Sequence, residues 1–260
     1  MPHLLNIWPS VSARLRDAQR VLLLSDFDGT LTPIVDRPEL AVLAPGVRQT
    51  LVELTGHQKF ILGVLSGRSL HDLEDKVGVP GMIYAGNHGL EIIGPGLEFV
   101  HTEANGMRRI QTEVFEILKR ELGHLPGVVV ENKGLTLSVH YRLAPDASVA
   151  RIQERFAATV SPLVAEGQLK TSEGKKVLEV RPNVDWDKGK AIAHIQGQHP
   201  QAKLTVFFGD DLTDEDGFAV VQESGGLDVF VGPARAPTKA LYRLDSPGEV
   251  ARTLALMAGL

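Results

Sequence analysis

Leu22, Leu23 and Leu24 follow one another with no polar residue between them, and Asp26 and Asp28 come directly behind. Side chains of a strand alternate between its two faces, so an unbroken apolar run has to be covered on both. A chain that contains several such runs needs a layer of helices on each side of a sheet. The run recurs in "FILGVLSG" at 60–67, "MIYAG" at 82–86, "LTVFFGDD" at 204–211 and "LDVFVG" at 227–232. Helical patterns fall between these runs. In "APGVRQTLVEL", Pro45 stands near the start, and Val47, Leu51 and Leu54 share a face. "SLHDLEDKV" carries Ser69 and Asp72 at capping-box spacing, and Thr213 with Asp216 are expected to cap the helix holding "GFAVV". "SPGEVARTLALM" closes the pattern with Ser246 as the expected cap. Strand and helix in alternation predict an α/β fold with a doubly wound, mostly parallel sheet.

The middle of the chain breaks that alternation. Ile110, Val114, Ile117 (or Leu118) and Leu122 mark an amphipathic helix, and "VVVENKGLTLSVHYR" reads as a hairpin turning near Lys133-Gly134. A second helix is expected from about 147 to 164, followed by a hairpin, "QLKTSEGKKVLEVRP", turning at Glu173-Gly174. Helix, hairpin, helix, hairpin describes a small α+β unit inserted in the α/β core. The expected division is 1–104 and 185–260 for the core and 105–184 for the insert. In the first hairpin Leu135, Leu137, Val139 and Tyr141 share the face that should pack on the helices. Thr136, Ser138, His140 and Arg142 share the face that should look at water or a ligand.

Composition narrows the function. With 260 residues, 43% hydrophobic and 23% charged, the chain has the make-up of a soluble globular protein. A net charge of -5 argues against nucleic-acid binding driven by bulk charge. Cysteine is absent, which removes disulfides and thiolate metal sites. No apolar stretch approaches the roughly 20 residues that span a bilayer. "MPHLLNIWPSVSARLR" lacks a basic leader and a small-residue cleavage site, so a cytoplasmic protein is expected.

Two acids at the end of a buried strand repel each other and are costly to desolvate. In an open α/β sheet ligands bind beyond the carboxyl ends of the strands, and other polar residues are due at that edge. They are Ser66 with Gly67 and Arg68, then Asp210, Asp211 and Asp214; Lys188-Gly189 opens a helix behind the insert. Carboxylates without thiols suit a hard cation, magnesium above all. A hydroxyl and a lysine beside it suit the oxygens of a phosphoryl group. Each piece alone has a plain reading: D-x-D a solvated turn, Ser-Gly a common turn, Lys188 a surface lysine, "DDLTDED" an acidic helix start. "DFDGTL" is not a calcium loop, since Thr30 would stand at its fifth position. Their order, each behind a buried strand or opening a helix, points to phosphoryl transfer.

"DFDGTLT", "SGR", "KGKA" and "GDDLTDED" resemble the four motifs of the haloacid-dehalogenase superfamily of aspartate-nucleophile phosphatases. "AGNHGLEI", "ENKGLTLSVHYR" and "LEVRPNVDWDKGKA" bring the resemblance closer to the trehalose-6-phosphate phosphatases, from Val21 onward. "NVDWDKG" departs from the approach to the lysine in many members. The resemblance implies Asp26 as nucleophile, Asp28 as proton donor and base, and Ser66 and Lys188 as holders of the phosphoryl oxygens. Magnesium would be held by Asp26, the backbone carbonyl of Asp28 and Asp210, with Asp214 and Asp211 orienting its waters. A cap closing over the core would grip the sugar through Glu131, Lys133, Arg142 and Glu179, with Arg68 and His88 from the core side. It also implies functional pairing with a trehalose-6-phosphate synthase. Alternatives on the same core are a mutase or phosphatase for another sugar phosphate and a non-catalytic sensor; the intact Asp28 weighs against the sensor.

Overall fold

The structure is a computed structural model that describes residues 1–174, 176–234 and 236–260. In chain order the elements are α1 (Trp8–Asp17), β1 (Val21–Asp26), α2 (Pro45–Gly56), β2 (Phe60–Leu65), α3 (Leu70–Val77), β3 (Ile83–Gly86), β4 (Glu91–Gly94) and β5 (Leu97–Val100). Next come α4 (Thr102–Gly106), α5 (Arg108–Leu122), β6 (Val129–Asn132), β7 (Leu137–His140), α6 (Asp146–Ala165), β8 (Leu169–Gly174) and β9 (Val177–Pro182). The last set is α7 (Lys188–Gln198), β10 (Leu204–Gly209), α8 (Glu215–Glu223), β11 (Leu227–Val231), β12 (Tyr242–Leu244) and α9 (Pro247–Ala258). Two compact units result: Met1–Phe99 with Trp186–Leu260, and Val100–Asp185. The short α4 falls in the second of these units.

In the first unit the strand order is β12-β11-β10-β1-β2-β3-β4-β5. From β12 to β3 every pairing is parallel, and β4 runs antiparallel to β3. The chain leaves β1 for β2 on one side and returns to β10 on the other, which makes the carboxyl end of β1 a topological switch point. β1 shows why the apolar run is unbroken. Val21 and Leu23 face a cluster with Leu15, Leu51, Leu54 and Leu254. Leu22 and Leu24 face Ile192, Ile195 and Phe218 on the opposite side. These four residues of β1 are at most 3% exposed. Each contributes on the order of 1.5–3 kcal/mol by burial, which lets the sheet tolerate charged groups at its edge.

Helix ends follow local chemistry, with two corrections. The Ser69 hydroxyl accepts from the Asp72 N–H at 3.2 Å, as the capping pattern predicts. Thr213 does not cap the helix at 215. Asp211 accepts from the Thr213 N–H and, with Asp214, forms a capping box around the short 3-10 turn Leu212–Asp214 that leads into α8. The helix at 215 itself starts from Asp214 without a side-chain cap, because the 3-10 turn runs directly into it. Ser246 occupies the cap position of α9 without a side-chain bond. Glu249 reaches back to the Asp245 N–H at 2.6 Å.

In the inserted unit the strand order is β6-β7-β9-β8, all antiparallel. Val114, Leu118 and Leu122 of α5 and Ile152, Phe156 and Val160 of α6 pack with Leu137, Val139 and Val180. The choice left open on α5 falls to Leu118, buried, over Ile117, exposed. Gly174 pairs with Val177, so the second hairpin reverses after Gly174 and not at Glu173-Gly174; Lys175 lies outside the described residues. Thr136 and Ser138 were expected on an open face, yet both are buried. Ser138 stands in register between Glu131 and Glu179, whose longer side chains flank it. Among the described residues no helix is long and apolar enough to cross a membrane.

Candidate active site

The loop after β1 brings the first two acids to the switch point. Gly29 makes the turn with φ +90°, and a Cβ there would overlap the Asp210 carboxylate. Only glycine serves at a position that needs both the left-handed region and that closeness. The turn is closed by the Gly29 N–H to Thr32 O at 2.7 Å and by the Leu31 and Thr32 N–H groups to Phe27 O. The Thr30 hydroxyl then donates to Asp210 Oδ1 at 3.3 Å, linking this loop to the end of β10.

Lys188, the first residue of α7, crosses to the same edge. Its Nζ donates to Asp26 Oδ1 at 2.6 Å and to Asp214 Oδ1 at 2.7 Å, and its side chain is 3% exposed. The second oxygen of Asp214 accepts the N–H groups of Asp210 and Asp211, both at 3.0 Å. Burial pushes Asp26 well above the usual carboxylate range. Lys188 opposes that shift, and the charges of Asp214 and Asp210 add to it. Burial works against the Lys188 ammonium as well, but Asp214 and Asp26 outweigh it and hold the proton more firmly than usual.

Carboxylate oxygens of Asp26, Asp210 and Asp214 lie within 4.8 Å of one another. Three carboxylates against one ammonium leave a formal charge of -2 when all are ionised. An oxygen donor set with that surplus fits a hard divalent cation. Asp214 therefore stands inside the acidic cluster, with both oxygens already accepting hydrogen bonds. Asp211 is turned away into its cap on Thr213.

Ser66 follows β2 and is 2% exposed. Its hydroxyl oxygen accepts the Arg68 N–H at 3.2 Å, which leaves the hydroxyl hydrogen to donate. The turn after β3 braces this loop: the Asn87 N–H binds Arg68 O at 2.7 Å and the His88 N–H binds Ser66 O at 2.9 Å. Asn87 and His88 both sit at positive φ, +51° and +58°. Two such residues in succession are a local strain of the kind found at functional sites. The His88 ring lies against Gly67, where a Cβ would meet it at 2.7 Å. Trp186, in the divergent "NVDWDKG" segment, donates to Gly89 O at 2.9 Å and stacks on Phe99 at 5.0 Å.

Arg68, expected at the sugar, has Nε on Asp28 Oδ2 at 2.6 Å, Nη2 on Asp28 Oδ1 at 2.7 Å and Nη1 on Asp72 Oδ2 at 2.6 Å. Burial opposes its charge, and the bonds to Asp28 and Asp72 more than offset that.

Of the remaining expected residues, Glu131 and Glu179 share a face of the inserted sheet, while Lys133 and Arg142 lie just outside its strands. Glu131, Ser138, Glu179 and Ser172 line up across the four strands. Glu179, which needed a cation or a hydroxyl at an otherwise apolar strand, has Lys133 at 3.7 Å, Arg181 at 3.5 Å and the Ser172 hydroxyl at 3.3 Å. His140 Nε2 lies 2.8 Å from Glu131 Oε2. Arg142, on the other side of Tyr141, is partly exposed.

Sequence reasoning gave Thr30 and Asp72 no role in the site and passed over Asp187 and Glu215. Asp187 caps α7 through the Lys190 N–H at 2.8 Å, and Glu215 accepts the Lys239 N–H at 2.7 Å. Asp72 stands four residues after Arg68, a spacing that could have flagged the pair.

This fold, with the acids at its switch point, is that of the haloacid-dehalogenase-like proteins. One of them, a hydrolase from Bacteroides thetaiotaomicron, shares the fold with a TM-score of 0.62 at 17% identity, over 92% of this chain and 99% of that one. The description of the trehalose-phosphatase family matches residues 24–248, and the chain belongs to that family. It is 38% identical over 241 residues to a trehalose-phosphate phosphatase of Mycobacterium tuberculosis, covering 90% of this chain and 60% of that protein. It therefore spans about three fifths of the length of the curated relative it matches. The trehalose-6-phosphate phosphatase C-terminal domain of C. albicans superposes with a TM-score of 0.84 at 30% identity, over 100% of this chain and 98% of that one.

Proposed function

We propose that the chain hydrolyses trehalose 6-phosphate to trehalose and phosphate through an aspartyl-phosphate intermediate. The observation that carries this reading is the buried Lys188 bridging Asp26 and Asp214 at the sheet edge, beside the Ser66 hydroxyl loop. Asp26 attacks phosphorus, and the bond to the sugar oxygen breaks. Asp28 gives that oxygen a proton, then takes one from the water that cleaves the acyl phosphate. Ser66 and Lys188 hold the phosphoryl oxygens. Asp26, Asp210 and the backbone carbonyl of Asp28, with the help of Asp214, would hold a magnesium ion, which would supply charge neutralisation for the phosphoryl group. Glu131, Lys133, Arg142 and Glu179 read the sugar hydroxyls. A trehalose-6-phosphate synthase is the activity that makes such a substrate, so pairing is by shared metabolite.

Phosphate release from a panel of sugar phosphates tests this, with and without a chelator. Trehalose 6-phosphate should be turned over fastest, chelation should abolish the activity and magnesium should restore it. Full activity after exhaustive chelation overturns the metal assignment. Transfer of phosphate to a second sugar with none released makes the protein a mutase. The intact pair of Asp26 and Asp28 favours hydrolysis over a sensor role, for which no proton donor is needed.

A further inference from the structure

We infer that Arg68, backed by Asp72, is a positioning residue that fixes the carboxylate of Asp28 for proton transfer and does not bind the sugar. The inference rests on the reading of Asp28 as the proton donor. The guanidinium grips both oxygens of Asp28 in a two-point fork at 2.6 and 2.7 Å. Such a fork fixes direction as well as distance. A third bond goes to Asp72 Oδ2 at 2.6 Å and a fourth to Pro38 O at 2.9 Å. With four bonds made by Nε, Nη1 and Nη2 (twice), four of the five N–H groups are committed. The side chain is 7% exposed and its Cζ lies 5.3 Å from the centroid of the buried Phe27 ring. Of these donors only one N–H, on Nη1, is left over for any other acceptor, and it belongs to a side chain 7% exposed.

Its own backbone is held on both sides. The Asn87 N–H binds its carbonyl, and its N–H binds the Ser66 hydroxyl. Asp72 is held in turn, because its N–H is the one that Ser69 caps and Lys76 lies 4.0 Å from its second oxygen. Asp28 is the more exposed end of this chain of alternating charges, at 37%. Each carboxylate oxygen of Asp28 has a second lone pair outside the fork. The loop of Ser66, Gly67 and Arg68 thereby serves two tasks: a hydroxyl for the phosphoryl group and a brace for the acid.

The test uses two esters. A sugar alkoxide needs a proton to leave, and nitrophenolate does not. On trehalose 6-phosphate, Arg68→Ala should lower kcat about 100-fold, within the range of lost general acid catalysis, with KM nearly unchanged. The first step on nitrophenyl phosphate should fall only a few-fold. Asp72→Asn, which removes a charge but keeps an acceptor, should show the same selectivity at roughly 10-fold, guarding against a folding defect in the first variant. A large rise in KM for the sugar ester with kcat intact overturns the inference in favour of a sugar contact. Equal losses on both esters in both variants overturn it in favour of a structural role. Asp28→Asn run beside them separates the two levels. If Asp28→Asn is itself unselective, the proton-donor reading fails and takes the inference with it. If Asp28→Asn is selective and the Arg68 and Asp72 variants are not, the brace alone is wrong.

Discussion

Replacing Lys188 by methionine in metal-free protein should expose the electrostatic cost of the site directly. In the wild type one ammonium touches two carboxylates at 2.6 and 2.7 Å, and the three side chains are 3%, 7% and 0% exposed. Removing one partner of such a buried set costs about 3–5 kcal/mol, because a charge is left without compensation. The protein can avoid part of this by binding a proton. Loss of the ammonium removes the influence that holds the Asp26 carboxyl down, so burial and the neighbouring acids push it further up. Asp26 starts already raised by burial, so it is the group to take the proton. A carboxylate whose folded-state pKa is raised binds protons more tightly when folded, so stability falls as pH rises through that window. The loss relative to wild type should therefore be near its full value at about pH 8 and shrink towards about pH 5. Urea denaturation in the presence of a chelator, at both pH values, measures it. Adding Asp26→Asn to the lysine variant should recover part of the loss at the higher pH. A loss below about 1 kcal/mol, or one equal at both pH values, would mean that the lysine is not the counter-charge of these acids.

Three further outcomes are expected. Asp28→Asn should give a burst of nitrophenol in rapid mixing followed by slow turnover, and a fall of roughly 100-fold or more on trehalose 6-phosphate, whereas Asp26→Asn should give no burst; a burst from the latter means the nucleophile is misassigned. Glu179→Ala should reduce turnover of trehalose 6-phosphate roughly 10- to 100-fold and leave a small aryl phosphate nearly unaffected, and equal losses assign Glu179 to the fold. Asp228, fully buried on β11, accepts from the Gln222 amide at 2.7 Å and the Leu241 N–H at 2.6 Å, with its pKa raised chiefly by burial. Stability should drop as pH rises from about 4 through its folded-state pKa; Asp228→Asn should flatten that slope, while Asp228→Ala should cost about 1–3 kcal/mol, and a slope unchanged in the Asn variant removes Asp228 as its source.

Much of the architecture was legible because its signals are local. An uninterrupted apolar run such as Leu22–Leu24 states that both faces are covered, whatever covers them. Ser69 meets the Asp72 N–H three residues on, and the Lys133-Gly134 turn is closed by the Lys133 N–H on Thr136 O. Caps, turns and periodicities involve neighbours within a helical turn or across a hairpin, and chain connectivity nearly fixes their geometry. Where several polar residues stood together the sequence was less decisive: Asp211 caps a short 3-10 turn ahead of the helix that Thr213 was expected to cap, and that helix has no side-chain cap.

The sequence by itself determined that acids, a hydroxyl and a lysine would reach one edge of a parallel sheet. It could not determine which of them touch. Lys188 is 162 residues from Asp26 and 26 from Asp214, and Arg68 is 40 from Asp28. Those pairs exist because parallel register sets Asp26 opposite Leu65 and Ser25 opposite Phe208, which aligns the ends of β1, β2 and β10. Arg68 illustrates the difference: its residue type and motif suit a sugar phosphate as well as a carboxylate. Only the folded chain, by placing two carboxylates 2.6 Å from a guanidinium that is itself 7% exposed, shows which groups it touches. A buried cation takes the nearest opposite charges, and nearness across the sheet is a property of the packed strands and not of the order of residues.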